Sequence, residues 1–173
     1  ILFQEIEVDR TPDNQPSATS ELLRKLKFHG LGPYYHKLGY NPNGSPTSWP
    51  AVHCLTLSKF PISDSRLHAI ERARPILETT IEIGRQKFTL FNNHWKSGAS
   101  NPNMEMIRVQ NAQVLHRLVQ SQLSNNPQAD IIIGGDLNSH YNHSLIFAGL
   151  KTGINDVLGA NGDETFQNNH WYN

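Results

Sequence analysis

The apolar positions along the chain fall into runs of two different periods. Ile1 to Ile6 is a short, mostly apolar run giving way to polar Glu7-Val-Asp-Arg-Thr-Pro-Asp-Asn14, which reads as a buried strand followed by a loop. From Ser17, an N-cap candidate, Leu22, Leu23 and Leu26 recur on one helical face until Gly30 stops the pattern. Leu38 to Pro50 is dense in Gly, Pro, Asn and Ser and predicts a loop. Ala51 to Leu57 returns to β-type residues and ends at Ser58-Lys-Phe-Pro-Ile62, where proline breaks the ladder. Two further strands, Ile76 to Ile83 and Lys87 to Asn93, flank Gly84-Arg85-Gln86, a hairpin turn.

The clearest helix runs from Met104 to Leu123, with Ile107, Val114, Leu115, Leu118 and Val119 near helical spacing and polar residues opposite. Asn125-Asn-Pro127 ends it. Ile131-Ile-Ile133 is then a continuous β-branched run, as expected for a strand buried on both faces. Ser139 to Asn173 is short-patterned and polar, and no regular element is assigned there. With no repeat, low-complexity tract or linker, residues 1–173 are expected to form one domain. Strands mixed with helices, some strands joined by tight turns, predict an α/β sandwich with a mixed sheet.

Composition bounds this picture without changing it. At 173 residues, 37% apolar and 17% charged, the chain can bury a core and is ordinary for a globular protein. No apolar run approaches the length of a bilayer span. Residue 1 already lies in a strand-like run, so no signal peptide is read, and a chain opening on Ile1-Leu2-Phe3 is expected to lack an N-terminal piece. The lone cysteine, Cys54, excludes an internal disulfide, and its apolar surroundings predict a buried, inert thiol rather than a nucleophile.

A formal net charge of zero provides no global electrostatic case for nucleic acid. The distribution is more specific. Acids gather near the start (Glu5, Glu7, Asp9, Asp13) and the end (Asp130, Asp136, Asp156, Asp163, Glu164), with cations from Lys59 to Arg117 between them. If the acidic regions meet in the fold they could hold a cation while the middle meets an anion. A solvated surface of uneven charge is the other reading.

Three short segments could carry chemistry. In Gly135-Asp136-Leu137-Asn138 a buried strand ends in glycine and then places a carboxylate and a carboxamide two residues apart. Strand ends open into the crevice where ligands bind in layered α/β folds; an aspartate there can orient or deprotonate water, and an asparagine can donate to a phosphate oxygen. The same residues would also make a plain turn. Phe91-Asn-Asn-His94-Trp-Lys-Ser-Gly98 again delivers polar groups at a strand end; the imidazole could hold a phosphoryl oxygen or protonate a leaving group, or could simply bond to backbone. In Phe3-Gln4-Glu5 a glutamate closes an apolar run, a costly place for a carboxylate unless it is paired, metal-bound or wet, and Glu7 competes for the same role.

In chain order, Leu2-Phe3-Gln4-Glu5, Ser58-Lys-Phe-Pro-Ile62, Asn93-His94 and Gly135-Asp-Leu-Asn138 resemble the endonuclease/exonuclease/phosphatase superfamily over nearly the whole chain. The Asn-His-Trp-Lys-Ser form is closest to bacterial, often secreted members, so the resemblance favours a secreted or periplasmic setting. It implies a deoxyribonuclease I-like, four-layer α/β/β/α sandwich with mixed sheets. By position, Glu5 resembles the family's glutamate ligand for Mg2+ or Mn2+. His94 resembles the histidine that contacts the scissile phosphate, Asp136 the aspartate that activates water, and Asn138 its partner in binding phosphate or metal. Arg74, in Arg72-Ala-Arg-Pro75, resembles a phosphate-contacting arginine, and Asn93 is grouped with it, although a surface charge at the start of a strand is the other reading of Arg74.

Members of that family begin with a strand carrying an asparagine near the metal and end with a Ser-Asp-His motif. Neither pattern occurs in residues 1–173, and His170 has no aspartate before it, so the domain is expected to be incomplete in this chain. The implied activity is metal-dependent hydrolysis of phosphate esters, foremost as a nuclease. A catalytically inactive phosphate-binding module and a lipid or small-molecule phosphoesterase are the alternatives. A zinc site at His140 and His143 lacks a third ligand in register, and a polar loop explains the pair better. Trp49 and Trp95 could stack on a base, insert toward lipid or pack internally.

Overall fold

Seven strands and two helices make up the elements of residues 1–7, 18–39, 52–98 and 101–138, the part of the chain that the computed structural model describes. In chain order they are β1 (Leu2–Glu7), α1 (Ala18–Phe28), β2 (Tyr35–Leu38), β3 (Val52–Ser58), β4 (Ile62–His68), β5 (Ile76–Ile83), β6 (Gln86–His94), α2 (Pro102–Asn125) and β7 (Asp130–Asp136). They fall into two compact units. Of the described residues, one comprises those within Ile1–Ala69, Arg74–His94 and Gln128–Asp136; the other comprises those within Ile70–Ala73 and Trp95–Pro127, with residues 137–138.

The first unit holds two sheets. In one, β3 lies between β1 and β2, and both pairings are antiparallel. In the other the order is β4-β5-β6-β7, antiparallel except for the parallel pair β6–β7. The mixed sheet is therefore as expected. The β5–β6 hairpin closes through Gly84-Arg85, with Ile83 opposite Gln86; Gly84 takes a φ of 64°, a left-handed value that a tight hairpin demands and glycine accepts without strain. Parallel strands need a long crossover, and the chain between β6 and β7 contains α2.

Side chains of β6 alternate between faces. Phe88 and Leu90 turn toward the other sheet, where with Leu57, Ile81 and Ile132 they line an open cleft of about 390 Å³. Leu55, Leu57, Leu77, Ile81, Leu90 and Phe91 are buried, each burial favouring folding by roughly 1.5–3 kcal/mol.

Three features depart from the hydropathy pattern. The strands β2 and β4 have no apolar run to mark them; β4 reads Ile-Ser-Asp-Ser-Arg-Leu-His and stands at the end of its sheet, where polar side chains reach water. The expectation that Ile131-Ile-Ile133 is buried on both faces does not hold: Ile132 is 48% exposed. The reason is its place in the sheet, since β7 is the last strand of its order among the described residues and Ile132 lines the open part of the cleft. The proposed N-cap Ser17, most of the loop from Leu38 to Pro50, and His140, His143 and His170 lie outside the described residues.

In the second unit, α2 starts at an N-cap, Asn101, whose side chain accepts from the Asn103 amide, with Pro102 at the first helical position. Its buried positions are Glu105, Ile107, Arg108, Asn111, Ala112 and Leu115, so the buried face is half polar rather than an apolar stripe. An internal ion pair makes this tolerable. Arg108 pairs with Glu105 and donates to the carbonyls of Lys96 at 2.7 Å and Gly98 at 3.4 Å. No helix among the described residues is long and apolar enough to cross a membrane.

Candidate active site

Glu5 owes its position to a break in the β1–β3 ladder. Phe3 pairs with Leu55, the register then shifts, and pairing resumes at Ile6 with His53. Within this bulge Glu5 takes a φ of 58°, a left-handed conformation that costs a residue with a Cβ about 1–3 kcal/mol. The bulge turns the carboxylate out of the ladder and leaves its side chain 70% exposed. Of the two glutamates weighed from the sequence, Glu5 is the one brought to His94; Glu7 pairs opposite Val52.

His94 is the last residue of β6 and Asp136 the last of β7, and the parallel register sets them side by side. Both strand ends therefore open at the same edge, as ligand crevices do in α/β sheets. The pairing depends on Gly135, whose φ is 118°: a Cβ there would lie 2.0 Å from the Asn93 carbonyl oxygen. His94 Nε2 stands 3.8 Å from Glu5 Oε1 and 3.9 Å from Asp136 Oδ2, beyond hydrogen-bond length but within reach of charge. Its side chain is 2% exposed while that of Asp136 is 52% exposed, so a shielded imidazole sits between two wet carboxylates. Nδ1 is buried and has no hydrogen-bond partner among the described residues.

Burial pushes the His94 pKa below its ordinary value of 6.5, the positive charge of Arg74 adds to this, and Asp136 and Glu5 oppose it without prevailing. The imidazole is accordingly neutral at pH 7, with one ring nitrogen able to donate and the other to accept. Arg74 itself is anchored by a bond from Nε to the Val52 carbonyl at 3.2 Å. Cys54, as expected, is buried, and burial pushes its thiol up to about 12, well out of the nucleophilic range.

Two expected site residues are engaged with backbone. Asn93 is fully buried, and its amide, expected to face phosphate, donates to the carbonyls of Phe91 at 2.9 Å and Gly134 at 3.1 Å, tying β6 to β7. The alternation of β6 explains this, since Asn93 points away from the face that carries His94. Asn138 belongs to the second unit, where its amide donates to the Trp95 carbonyl at 3.0 Å. The first unit thus brings together Glu5, His94 and Asp136 under the charge of Arg74. It adds Asn92, which sequence reasoning passed over; the available signal was a carboxamide in alternation with Phe88 and Leu90, on the apolar side of β6.

No group of three or more His, Cys, Asp and Glu side chains among the described residues could hold a metal ion. A zinc site, which needs three or four protein ligands, does not fit. Magnesium is commonly held by one or two carboxylates while keeping several waters, and the exposed carboxylate of Glu5 suits such a role.

Two sheets with a histidine and two carboxylates at their open edge define an α/β fold of the deoxyribonuclease I-like class. Residues 59–169 match the Endonuclease/Exonuclease/phosphatase family, and the chain belongs to it. That family is one of phosphoesterase- and nuclease-type hydrolases. The fold is similar to that of truncated Caenorhabditis elegans TDP2, with a TM-score of 0.59 and 20% identity over 82% of this chain and 50% of that one. It is also similar to a beta toxin from Staphylococcus aureus (TM-score 0.65, 21% identity, 89% and 57% covered). The third likeness is to sphingomyelinase C from Streptomyces griseocarneus (TM-score 0.64, 17% identity, 89% and 56% covered). The chain spans about half the length of each. No curated protein matches it.

Proposed function

We propose that the protein hydrolyses phosphodiesters by in-line attack of water, with nucleic acid as the substrate class. The observation that carries this is the shielded, neutral His94 held between the carboxylates of Glu5 and Asp136. Glu5 would hold the Mg2+ or Mn2+ whose charge, when bound, offsets the negative charge building on the phosphoryl oxygens. His94 donates a hydrogen bond from Nε2 to one of those oxygens, a bond that strengthens as charge develops. Asp136 orients the attacking water and takes its proton. Arg74 supplies a fixed positive charge toward the phosphate, and Asn93 acts by keeping β6 and β7 together. Nucleic acid is favoured by the cations between the two acidic ends of the sequence.

The test is a panel of plasmid DNA, RNA, sphingomyelin and a generic diester presented to the full-length protein with Mg2+. Cleavage of nucleic acid should fall about a hundredfold or more in Asp136→Ala and in His94→Ala. Mg2+-dependent turnover undiminished in Asp136→Ala would sink the assignment, and cleavage of sphingomyelin alone would replace the substrate.

A further inference from the structure

We infer that Asn92 is the positioning residue for the Glu5 carboxylate, fixing it opposite His94 across the two sheets. Asn92 is fully buried, on a strand whose inward face is otherwise apolar at Phe88 and Leu90. Among the described residues, its side-chain hydrogen bonds all run to the opposite sheet. Its amide donates to the carbonyls of Phe3 at 3.3 Å and Leu55 at 3.1 Å and to the Thr56 hydroxyl at 3.4 Å. Its carbonyl oxygen accepts from the Gln4 amide at 2.9 Å.

The choice of partners is informative. Phe3 and Leu55 are the last matched pair of the β1–β3 ladder before the register shift. One amide therefore bridges the two carbonyls at the edge of the bulge, and the carbonyl of the same side chain holds the residue immediately before Glu5. Each backbone carbonyl has two lone pairs, and Asn92 adds a side-chain donor to both of these oxygens beside the point where the ladder is interrupted. It thereby steadies a backbone that places Glu5 at a φ of 58°.

Asn92 also lies two residues before His94, on the same face of the same strand. The segment that carries the imidazole is thus the one that clamps the bulge carrying the carboxylate, and the 3.8 Å between them is set by this clamp. Asparagine alone among side chains of its size offers a donor pair and an acceptor in one plane. An aspartate would lose the donors and a leucine would lose both.

The role rests on the reading of Glu5 as a metal ligand, and the experiment separates the two. Mn2+ is titrated into the full chain by water-proton relaxation, and amide hydrogen exchange is followed at residues 3–6. Asn92→Leu should raise the Mn2+ dissociation constant about tenfold to a hundredfold, as loss of a ligand's orienting partner does, and should speed exchange at the bulge. Gln4→Leu, at a half-buried position, keeps the test open if Asn92→Leu does not fold; its expected effect is about fivefold, one hydrogen bond's worth. The control Ile81→Ala opens a cavity in the same inter-sheet layer, at the β5 position opposite Phe88, and should leave Mn2+ affinity unchanged without singling out residues 3–6 in exchange.

Unaltered Mn2+ affinity and unaltered exchange in Asn92→Leu and Gln4→Leu would overturn the inference, as would equal weakening by Ile81→Ala. If Glu5→Gln binds Mn2+ as well as the unaltered chain, the ligand reading fails instead, and the exchange at residues 3–6 still decides whether Asn92 holds the bulge.

Discussion

At the scale of single residues, the chemistry turns on an imidazole kept neutral. Burial and the charge of Arg74 disfavour imidazolium at His94 more strongly than Asp136 and Glu5 favour it, so its folded pKa lies below 6.5. As pH falls the unfolded chain takes up this proton first. The stability His94 contributes is therefore complete above its ordinary pKa and is lost as pH drops through it. Arg74→Ala removes one of the two depressing influences, and the titration midpoint of the His94 ring, followed by NMR, should move upward. A midpoint that stays or falls would show that Arg74 does not act on the ring. Glu5 was legible in the sequence as a carboxylate ending an apolar run. Its left-handed backbone and the clamp by Asn92 were not, because each depends on contacts between residues about ninety positions apart.

At the scale of elements, the helix α2 was legible in position and length but not in the nature of its buried face. Periodicity marks which residues share a side of a helix, and apolar residues were assumed to face inward. Here Glu105 and Arg108 take buried positions because each neutralises the other and Arg108 also binds two carbonyls of the segment after β6. Breaking such a pair leaves an uncompensated charge in the interior. Arg108→Ala is expected to destabilise the protein by about 3–5 kcal/mol, measured by chemical denaturation, and Glu105→Gln in that background should recover part of the loss. A cost within about 0.5 kcal/mol, that of an ordinary surface site, would contradict the account. Strands β4 and β2 escaped notice for a related reason: at the side of a sheet, ladder bonds are made by backbone whatever the side chains are, so hydropathy carries little trace of them.

At the scale of the whole molecule, family membership and fold class emerge from the order of short motifs, each weak alone. The order is informative because the parallel register of β6 and β7 places the residues of two motifs, His94 and Asp136, side by side, and the bulge of β1 brings a third. The proposed function also predicts a metal requirement for the full-length protein. Chelation by EDTA should abolish cleavage, and Mg2+ or Mn2+ in excess should restore it, with zinc failing to do so since the donor set suits a hard cation. Full activity in EDTA would remove the metal from the proposal while leaving the family assignment in place.

The sequence by itself determined the α/β class, the hairpin at Gly84 and the inert Cys54, and it singled out Glu5, His94 and Asp136, which the fold brings close together. These are legible because period, turn chemistry and residue type act locally, over spans that a chain carries in its order. Tertiary structure alone decided that Glu5 rather than Glu7 faces His94, that Asn93 serves the strand pairing, that Ile132 is half in solvent, and that Asn92 spans the sheets. Each of these depends on which strand lies beside or across from which. That is set by the sum of burial and hydrogen bonding over the whole assembly of strands, not by any one segment.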